Sequence, residues 1–144
     1  MTLALAYSPK VGQILTCDFT TGFIEPEMVK KRPVIVLATR PNGHRLVTVV
    51  CLSTRKPFPP LAHHMVLPQA HFPNVKFFQD SDETWLKGDM IYTVSFDRLD
   101  YVQIGRDRNG KRAYFLDRLS REVMKNVYAC TLCGLNLPML TQHL

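Results

Sequence analysis

Two groups of residues in this 144-residue chain have the types and spacing to handle a phosphate. Arg32 closes the cationic run Lys30-Lys31-Arg32 and leads directly into Pro33-Val34-Ile35-Val36-Leu37. Proline cannot donate a backbone hydrogen bond and belongs at the start or edge of a strand, and the β-branched run after it fits a strand buried on both faces. Ser53 and Thr54, with Arg55 and Lys56 behind them, leave a second such run, Leu46-Val47-Thr48-Val49-Val50-Cys51-Leu52. If the two strands lie side by side, a guanidinium and a hydroxyl converge at one end of a sheet, which suits a phosphate. On RNA such a site needs no metal. The ribose 2′-hydroxyl is the nucleophile, and the protein has only to assist its deprotonation, hold the phosphate and protonate the leaving 5′ oxygen, giving a 2′,3′-cyclic phosphate. Taken alone, the eight residues from Lys30 to Leu37 read more simply as a solvated strand entry.

Other reactive residue types fall into weaker patterns. Cys130-Thr131-Leu132-Cys133 has the spacing of half a zinc site, but no second such pair exists, and His63, His64, His71 and His143 stand at no diagnostic spacing. On a helix the two cysteines read as small, soft packing residues, redox-sensitive if exposed. His63, His64 and His71 lie among prolines and read as surface side chains rather than acid–base groups. Gly-rich phosphate loops, HExxH and GxSxG are absent, so kinase, zincin and serine-hydrolase readings lose their usual support.

Composition sets the frame for these sites. The length predicts one domain over residues 1–144, and 46% hydrophobic against 21% charged residues are ordinary globular values. Eighteen Lys plus Arg against 12 Asp plus Glu give a formal charge of +6, which favours polyanionic partners such as nucleic acid or an acidic protein segment. Four scattered cysteines do not make a secreted disulfide framework. The apolar part of Met1-Thr2-Leu3-Ala4-Leu5-Ala6-Tyr7 is too short for a signal peptide and lacks a basic flank, and no stretch approaches a membrane span. The expectation is a reduced, cytoplasmic protein that needs no cofactor.

The elements that must position the candidate residues follow from periodicity. Leu15, Cys17 and Phe19 alternate with Ile14, Thr16 and Asp18, predicting a half-buried strand. Residues 20–31 hold Gly22, Pro26, Glu25 and Glu27 without periodicity and read as a long loop. Asn42-Gly43 predicts a hairpin between the two apolar strands. His63 to Leu67 reads as a short strand, residues 68–83 as a loop with some strand, and residues 85–94 as a strand with a candidate bulge at Gly88. Residues 95–99 read as a turn or helical turn. Asn109-Gly110 predicts a second hairpin, whose tip carries Arg106, Arg108, Lys111 and Arg112. Ser120 is a candidate N-cap for a C-terminal helix with Val123, Val127 and Cys130 at helical spacing, Gly134 can end it, and Pro138 prevents its early resumption. About six short strands followed by one helix predict a mainly β fold, a small curled sheet or barrel with a helix packed on it.

In this order the segments resemble the MazF/PemK family of toxins from type II toxin–antitoxin modules. Gly12 through Phe19 resembles its opening strand, and Lys31-Arg32-Pro33-Val34-Ile35-Val36-Leu37 its most recognisable segment. Val49-Val50-Cys51-Leu52-Ser53-Thr54 resembles the strand ending in a hydroxyl pair, and residues 89–93 with Arg98-Leu99 the next strand and its Arg-Leu ending. The resemblance implies an SH3-like β-barrel with a C-terminal α-helix, a homodimer, and metal-independent, sequence-selective cleavage of single-stranded RNA. It also implies a cognate antitoxin whose acidic tail covers the RNA groove, with operator DNA bound through the toxin–antitoxin complex. By position it assigns Arg32 to phosphate stabilisation and Ser53, with Thr54 adjacent, to assisting proton transfer. It matches a loop glutamate to Glu27, with Glu25 close by. Lys30, Lys31, Arg55 and Lys56 are expected to track the RNA backbone.

Two positions depart from the family pattern. Some members carry an arginine and, three residues on, an aspartate that take part in cleavage or binding, where this chain has Tyr92 and Ser95. Tyr92 can stack on a base or hydrogen-bond, but it supplies no permanent charge. The alternative reading is therefore a MazF/PemK-like module that binds nucleic acid or protein without cleaving it. A third treats the same residues as ordinary barrel parts and the basic hairpin as a solvated tip.

Overall fold

The β-branched run at the centre of the chain dictates the layering. In the computed structural model, which describes residues 8–41 and 43–144, Lys31–Ala38 forms β2 between β1, Ile14–Asp18, and β3, Leu46–Ser53. The N-terminal heptapeptide and Asn42 of the expected Asn42-Gly43 turn lie outside the described residues. Val34 and Val36 of β2 join Val47, Val49 and Cys51 of β3 in one core, while Ile35 and Leu37 join Val50 and Leu52 in the other. A strand that buries alternate residues in two cores has no polar face, which is why its sequence shows no alternation.

The remaining strands are β4 (His64–Leu67), β5 (Thr84–Ser95), β6 (Leu99–Arg106) and β7 (Arg112–Phe115). They form one sheet in the order β4-β5-β3-β2-β1-β6-β7 with every neighbouring pair antiparallel. The mainly β expectation thus holds as an SH3-like sheet with a C-terminal helix. The described residues hold seven strands, one more than the expected total of about six, and His64–Leu67, read as a short strand, pairs along its full length with β5. Residues 68–83 differ from expectation: instead of strand they hold a 3₁₀ turn, Gln69–His71, and one helical turn, α1, Lys76–Gln79. Phe72 and Phe78 stack at 4.6 Å and bury against the helix-side core, so burial fixes a segment that lacks periodicity. Phe96–Arg98 is a 3₁₀ turn capped by the Ser95 hydroxyl, which accepts from the Asp97 N–H at 3.1 Å.

The C-terminal helix α2, Arg121–Gly134, starts at Ser120, whose hydroxyl accepts from the Val123 N–H at 3.2 Å. It buries Met124, Val127, Cys130 and Thr131. Beyond Gly134 the chain continues into a 3₁₀ turn at Pro138–His143, with the proline at its first position, so Pro138 opens a tighter helix rather than ending helical structure. Where α2 crosses β5 the two backbones touch. A Cβ built on Gly134 would lie 2.2 Å from the Gly88 carbonyl oxygen, and one on Gly88 would lie 2.5 Å from that of Cys130. Both obstructions are backbone and cannot rotate away, so the pair of glycines sets how closely helix and sheet approach.

This contact makes a signed prediction. Alanine is favoured over glycine in a helix by about 1 kcal/mol, yet Gly134→Ala is expected to lose about 1–3 kcal/mol through overpacking. Urea unfolding of the two proteins measures the difference, and a more stable variant would show that the helix does not sit on Gly88.

Candidate functional site

Register decides what the sheet brings together. Val34 of β2 faces Cys51 of β3, so Arg32 at the start of β2 and Ser53 at the end of β3 share one end of the sheet and one face. β5 lies on the other side of β3, and its ladder shifts: Val50 faces Ile91 but Cys51 faces Lys87. Residues 88–90 are looped out at the expected Gly88 bulge, and the Gly88 N–H donates instead to the His63 carbonyl at 2.7 Å. Three extra residues are an odd number, so the bulge turns Lys87 onto the face of Cys51 and Ser53; an unbulged ladder would aim it the other way. Arg32, Ser53 and Lys87 therefore come from three neighbouring strands to one place.

A cleft of about 500 Å³ opens there. Lys30, Arg32, Arg55 and Lys87 line it against two carboxylates, Glu25 and Glu27, with Ser53 and Thr54 at the side and Met28 and Met90 supplying apolar wall. The Arg32 guanidinium carbon lies 6.0 Å from the centroid of the Phe77 ring on α1, a cation–π distance that orients the fork. Ser53 is buried, and its Oγ accepts the Arg55 N–H at 3.1 Å, which leaves the hydroxyl proton free to be donated. Glu27 accepts the Ile24 N–H at 2.9 Å through one carboxylate oxygen, while its own N–H donates to the Ile24 carbonyl, closing a tight turn in the loop.

The loop between β1 and β2 that carries both glutamates is fixed from three sides. The Arg98 guanidinium donates to the carbonyls of Asp18 and Thr21 at 3.0 and 2.8 Å and lies 4.8 Å from the Phe23 ring. Phe19, Phe23 and Tyr92 contact one another at centroid distances of 5.1–5.4 Å. The Tyr92 hydroxyl accepts the Met28 N–H at 3.1 Å, and burial pushes its pKa upward. Tyr92, expected at the RNA surface, thus pins the loop from behind and lies outside the residues that line the cleft. Ser95 is occupied as the cap of the 3₁₀ turn.

Of the other expected backbone-tracking residues, Lys30 and Arg55 line the cleft and Lys56 does not. Lys31 points to the opposite face by strand alternation and lines a separate groove beside β6 and β7. Lys87 was the cation missed in the sequence. Its signal is a single charge inside Trp85-Leu86-Lys87-Gly88, but only the bulge reveals which face it takes.

The histidines have partners that the sequence did not show. His63 Nε2 lies 3.4 Å from an Asp89 oxygen, and His63, His64 and Asp89 bring ligand-type atoms within 4.8 Å of one another. His64 Nδ1 accepts the Leu61 N–H at 3.0 Å, and burial, with His63 beside it, lowers its pKa. A neutral imidazole accepting at Nδ1 carries its proton on Nε2, so this ring offers no lone pair to a metal until that bond is broken. Of the cysteine pair, Cys130 is a packing residue, buried and with its thiol donating to the His63 carbonyl at 3.0 Å, while Cys133 is half-exposed. Burial pushes Cys130 up to about 11 and Cys17 up to about 12, and raises Cys51 as well.

Comparison with known proteins adds a family context to this geometry. Residues 10–131 match the model of the PemK-like, MazF-like toxins of type II toxin–antitoxin systems. YifN of Escherichia coli strain K12 is 30% identical over 151 residues, covering 93% of this chain and 96% of its own. The crystal structure of MazF from Deinococcus radiodurans superposes with a TM-score of 0.60 at 17% identity, over 90% of this chain and 98% of that one. An endoribonuclease from a mycobacterial species, solved with its cognate antitoxin, superposes with a TM-score of 0.55 at 18% identity, over 91% and 98%. At such identities the superpositions establish the fold.

Two measurements test the site's internal architecture. Tyr92→Phe removes the acceptor for the Met28 N–H; it is expected to cost about 1 kcal/mol and to speed amide hydrogen exchange at Met28 and its loop neighbours, whereas unchanged exchange at Met28 would mean that the loop is held elsewhere. Brief alkylation of the native protein near pH 8, followed by peptide mass analysis, is expected to label the half-exposed Cys133 first and to spare Cys17, Cys51 and Cys130, because the thiolate is the nucleophile.

Proposed function

This chain belongs to the PemK-like, MazF-like toxins of type II toxin–antitoxin systems, and from that premise we propose that the cleft cuts single-stranded RNA in a sequence-selective, metal-independent reaction. The observation that supports this most directly is the meeting of Arg32, Lys87 and Ser53 from three neighbouring strands beside the loop glutamates. The 2′-hydroxyl of the nucleotide before the scissile bond attacks its own phosphate. Glu27, or Glu25 beside it, takes the proton through a carboxylate oxygen that the loop turn leaves free. Arg32 and Lys87 offset the charge that grows on the phosphoryl oxygens, the guanidinium bidentately and the ammonium as a point charge. Ser53, whose oxygen is already engaged by the Arg55 N–H, passes its proton to the departing 5′ oxygen while taking one from solvent water, and the glutamate returns its proton to solvent, with Thr54 adjacent. The products are a 2′,3′-cyclic phosphate and a 5′-hydroxyl end. No step requires a metal, since substrate and side chains supply nucleophile, proton transfer and positive charge.

The departure at Tyr92 bears on catalytic competence. Where some relatives have a charged side chain, this chain uses the position to fix the loop, and Lys87 of the same strand supplies a cation to the cleft. That substitution favours the enzyme over the binding module. The remaining partners follow the same reading: a cognate antitoxin whose acidic tail fills the cationic cleft, a homodimer, operator DNA bound through the complex, and action in the cytoplasm.

Incubating wild type and Arg32→Ala with a long RNA in EDTA, then mapping the ends, tests the mechanism. Discrete cuts bearing 2′,3′-cyclic phosphate are expected from wild type, with rates reduced about 100-fold or more in Arg32→Ala and about tenfold or more in Lys87→Ala and Ser53→Ala. Intact RNA from folded wild type, with binding retained, would leave the non-catalytic module.

A further inference from the structure

The cleft is not the sole basic surface among the described residues. The hairpin of β6 and β7 exposes Arg108, Lys111 and Arg112 around a tip that is internally braced. The carboxylate of Asp107 accepts the N–H groups of Asn109 and Lys111 at 2.8 and 2.9 Å, and the Arg106 guanidinium donates to the Gly110 carbonyl at 2.8 Å. The one acidic residue at the tip is thus engaged in the turn, and the cations stand on a fixed frame. At the foot of the hairpin a groove of about 220 Å³ is lined by Lys31, Asp100, Gln103, Arg112 and Tyr114, with Tyr101 at 6.1 Å from Tyr114 between ring centroids.

We propose that this groove and hairpin form a second single-stranded RNA subsite, which holds the substrate strand outside the nucleotides that fill the cleft. The inference rests on the reading of the cleft as an RNA site and extends it. Lys31 sits between the two surfaces in sequence: it faces the groove while Lys30 and Arg32 on either side of it line the cleft, so neighbouring cations at the start of β2 serve both. Tyrosine offers a stacking face to a base, Arg112 and the tip cations track phosphates, and Gln103 and Asp100 offer hydrogen bonds to base edges. Asp100 decides the class of ligand. A carboxylate in the groove accepts hydrogen bonds from base amino groups, which the side chains of an acidic tail do not offer, so RNA fits better than the acidic tail of an antitoxin. Bracing of the tip limits the conformational freedom lost on binding.

Fluorescence anisotropy with 2′-O-methyl RNA, which lacks the nucleophilic hydroxyl, measures binding without cleavage. Two probes of about five and about fifteen nucleotides span the range of single-strand site sizes, and both are centred on the cut found in the long RNA, or taken from an unstructured mixed sequence if there is none. Tyr114→Ala is expected to weaken the long probe about tenfold and to change the short probe less than about twofold. Because Tyr114 is half-buried, the exposed pair Arg108→Ala/Lys111→Ala provides a variant that leaves the fold untouched. It is expected to lower the salt slope of long-probe binding by about 1.4, at about 0.7 per phosphate contact on a single strand. Variants that bind both probes like wild type overturn the second subsite while RNA cleavage by wild type leaves the cleft's reading intact. Hairpin-dependent binding by a wild type that cuts nothing supports the subsite and removes catalysis. Failure to bind either probe removes both, and loss of a Glu-rich peptide with RNA binding unchanged makes the hairpin a protein surface and overturns the proposal.

Discussion

The pairing of β2 with β3 is the constraint on which the rest depends. Both strands bury alternate residues in two different cores, so a slip of one residue would move every valine and isoleucine into the wrong core and every Cβ to the wrong face. Full burial of each such side chain stabilises by roughly 1.5–3 kcal/mol, and a slip would forfeit several at once. The same register that satisfies the cores puts Arg32 and Ser53 at one end of the sheet. Hydrophobic burial thus holds the candidate site in shape, and none of the cleft's polar groups has to supply the energy for it.

The acidic loop is a different case, since it has no regular structure to fix it. It is held by backbone carbonyls facing Arg98, by three interlocked aromatic rings and by one hydroxyl, that of Tyr92. Arg98 and Tyr92 lie on or beside β5, the strand that also carries Lys87. Loop and cation are therefore referred to a common support, which keeps carboxylates and positive charge in a constant relation despite the loop's exposure.

The fold was legible in the sequence wherever burial imposed a period. The two-faced strands, the alternating β1, the hairpins and the Ser120 cap all carry local signals, and β2 and β3 each end in the residues that matter. Residues 68–83 were not legible, because their helical turns are shorter than any period can reveal and are fixed by Phe72 and Phe78 docking on distant residues. At the candidate site, Arg32, Ser53 and Thr54 could be picked out by type and order, and Glu27 through the family resemblance. The positions of Lys31, Lys56 and Tyr92 could not, since adjacent residues on a strand take opposite faces and a tyrosine's hydroxyl finds its partner 64 residues away. His63 and Asp89 show the same limit, being distant in sequence and joined only by the pairing of β4 and β5.

Lys87 shows how remote packing reaches the site. Its face is set by an odd-numbered bulge, and that bulge contains Gly88, the residue against which Gly134 of α2 rests. Helix docking selects glycine at position 88; the bulge that includes it reverses the facing of the strand beyond; and that reversal delivers an ammonium group to the face already bearing Arg32 and Ser53. A side chain at Gly88 or Gly134 would disturb this sequence at its first step, far from any phosphate. The C-terminal helix, which contributes no side chain to the cleft, is in this sense part of what gives the cleft its second central cation.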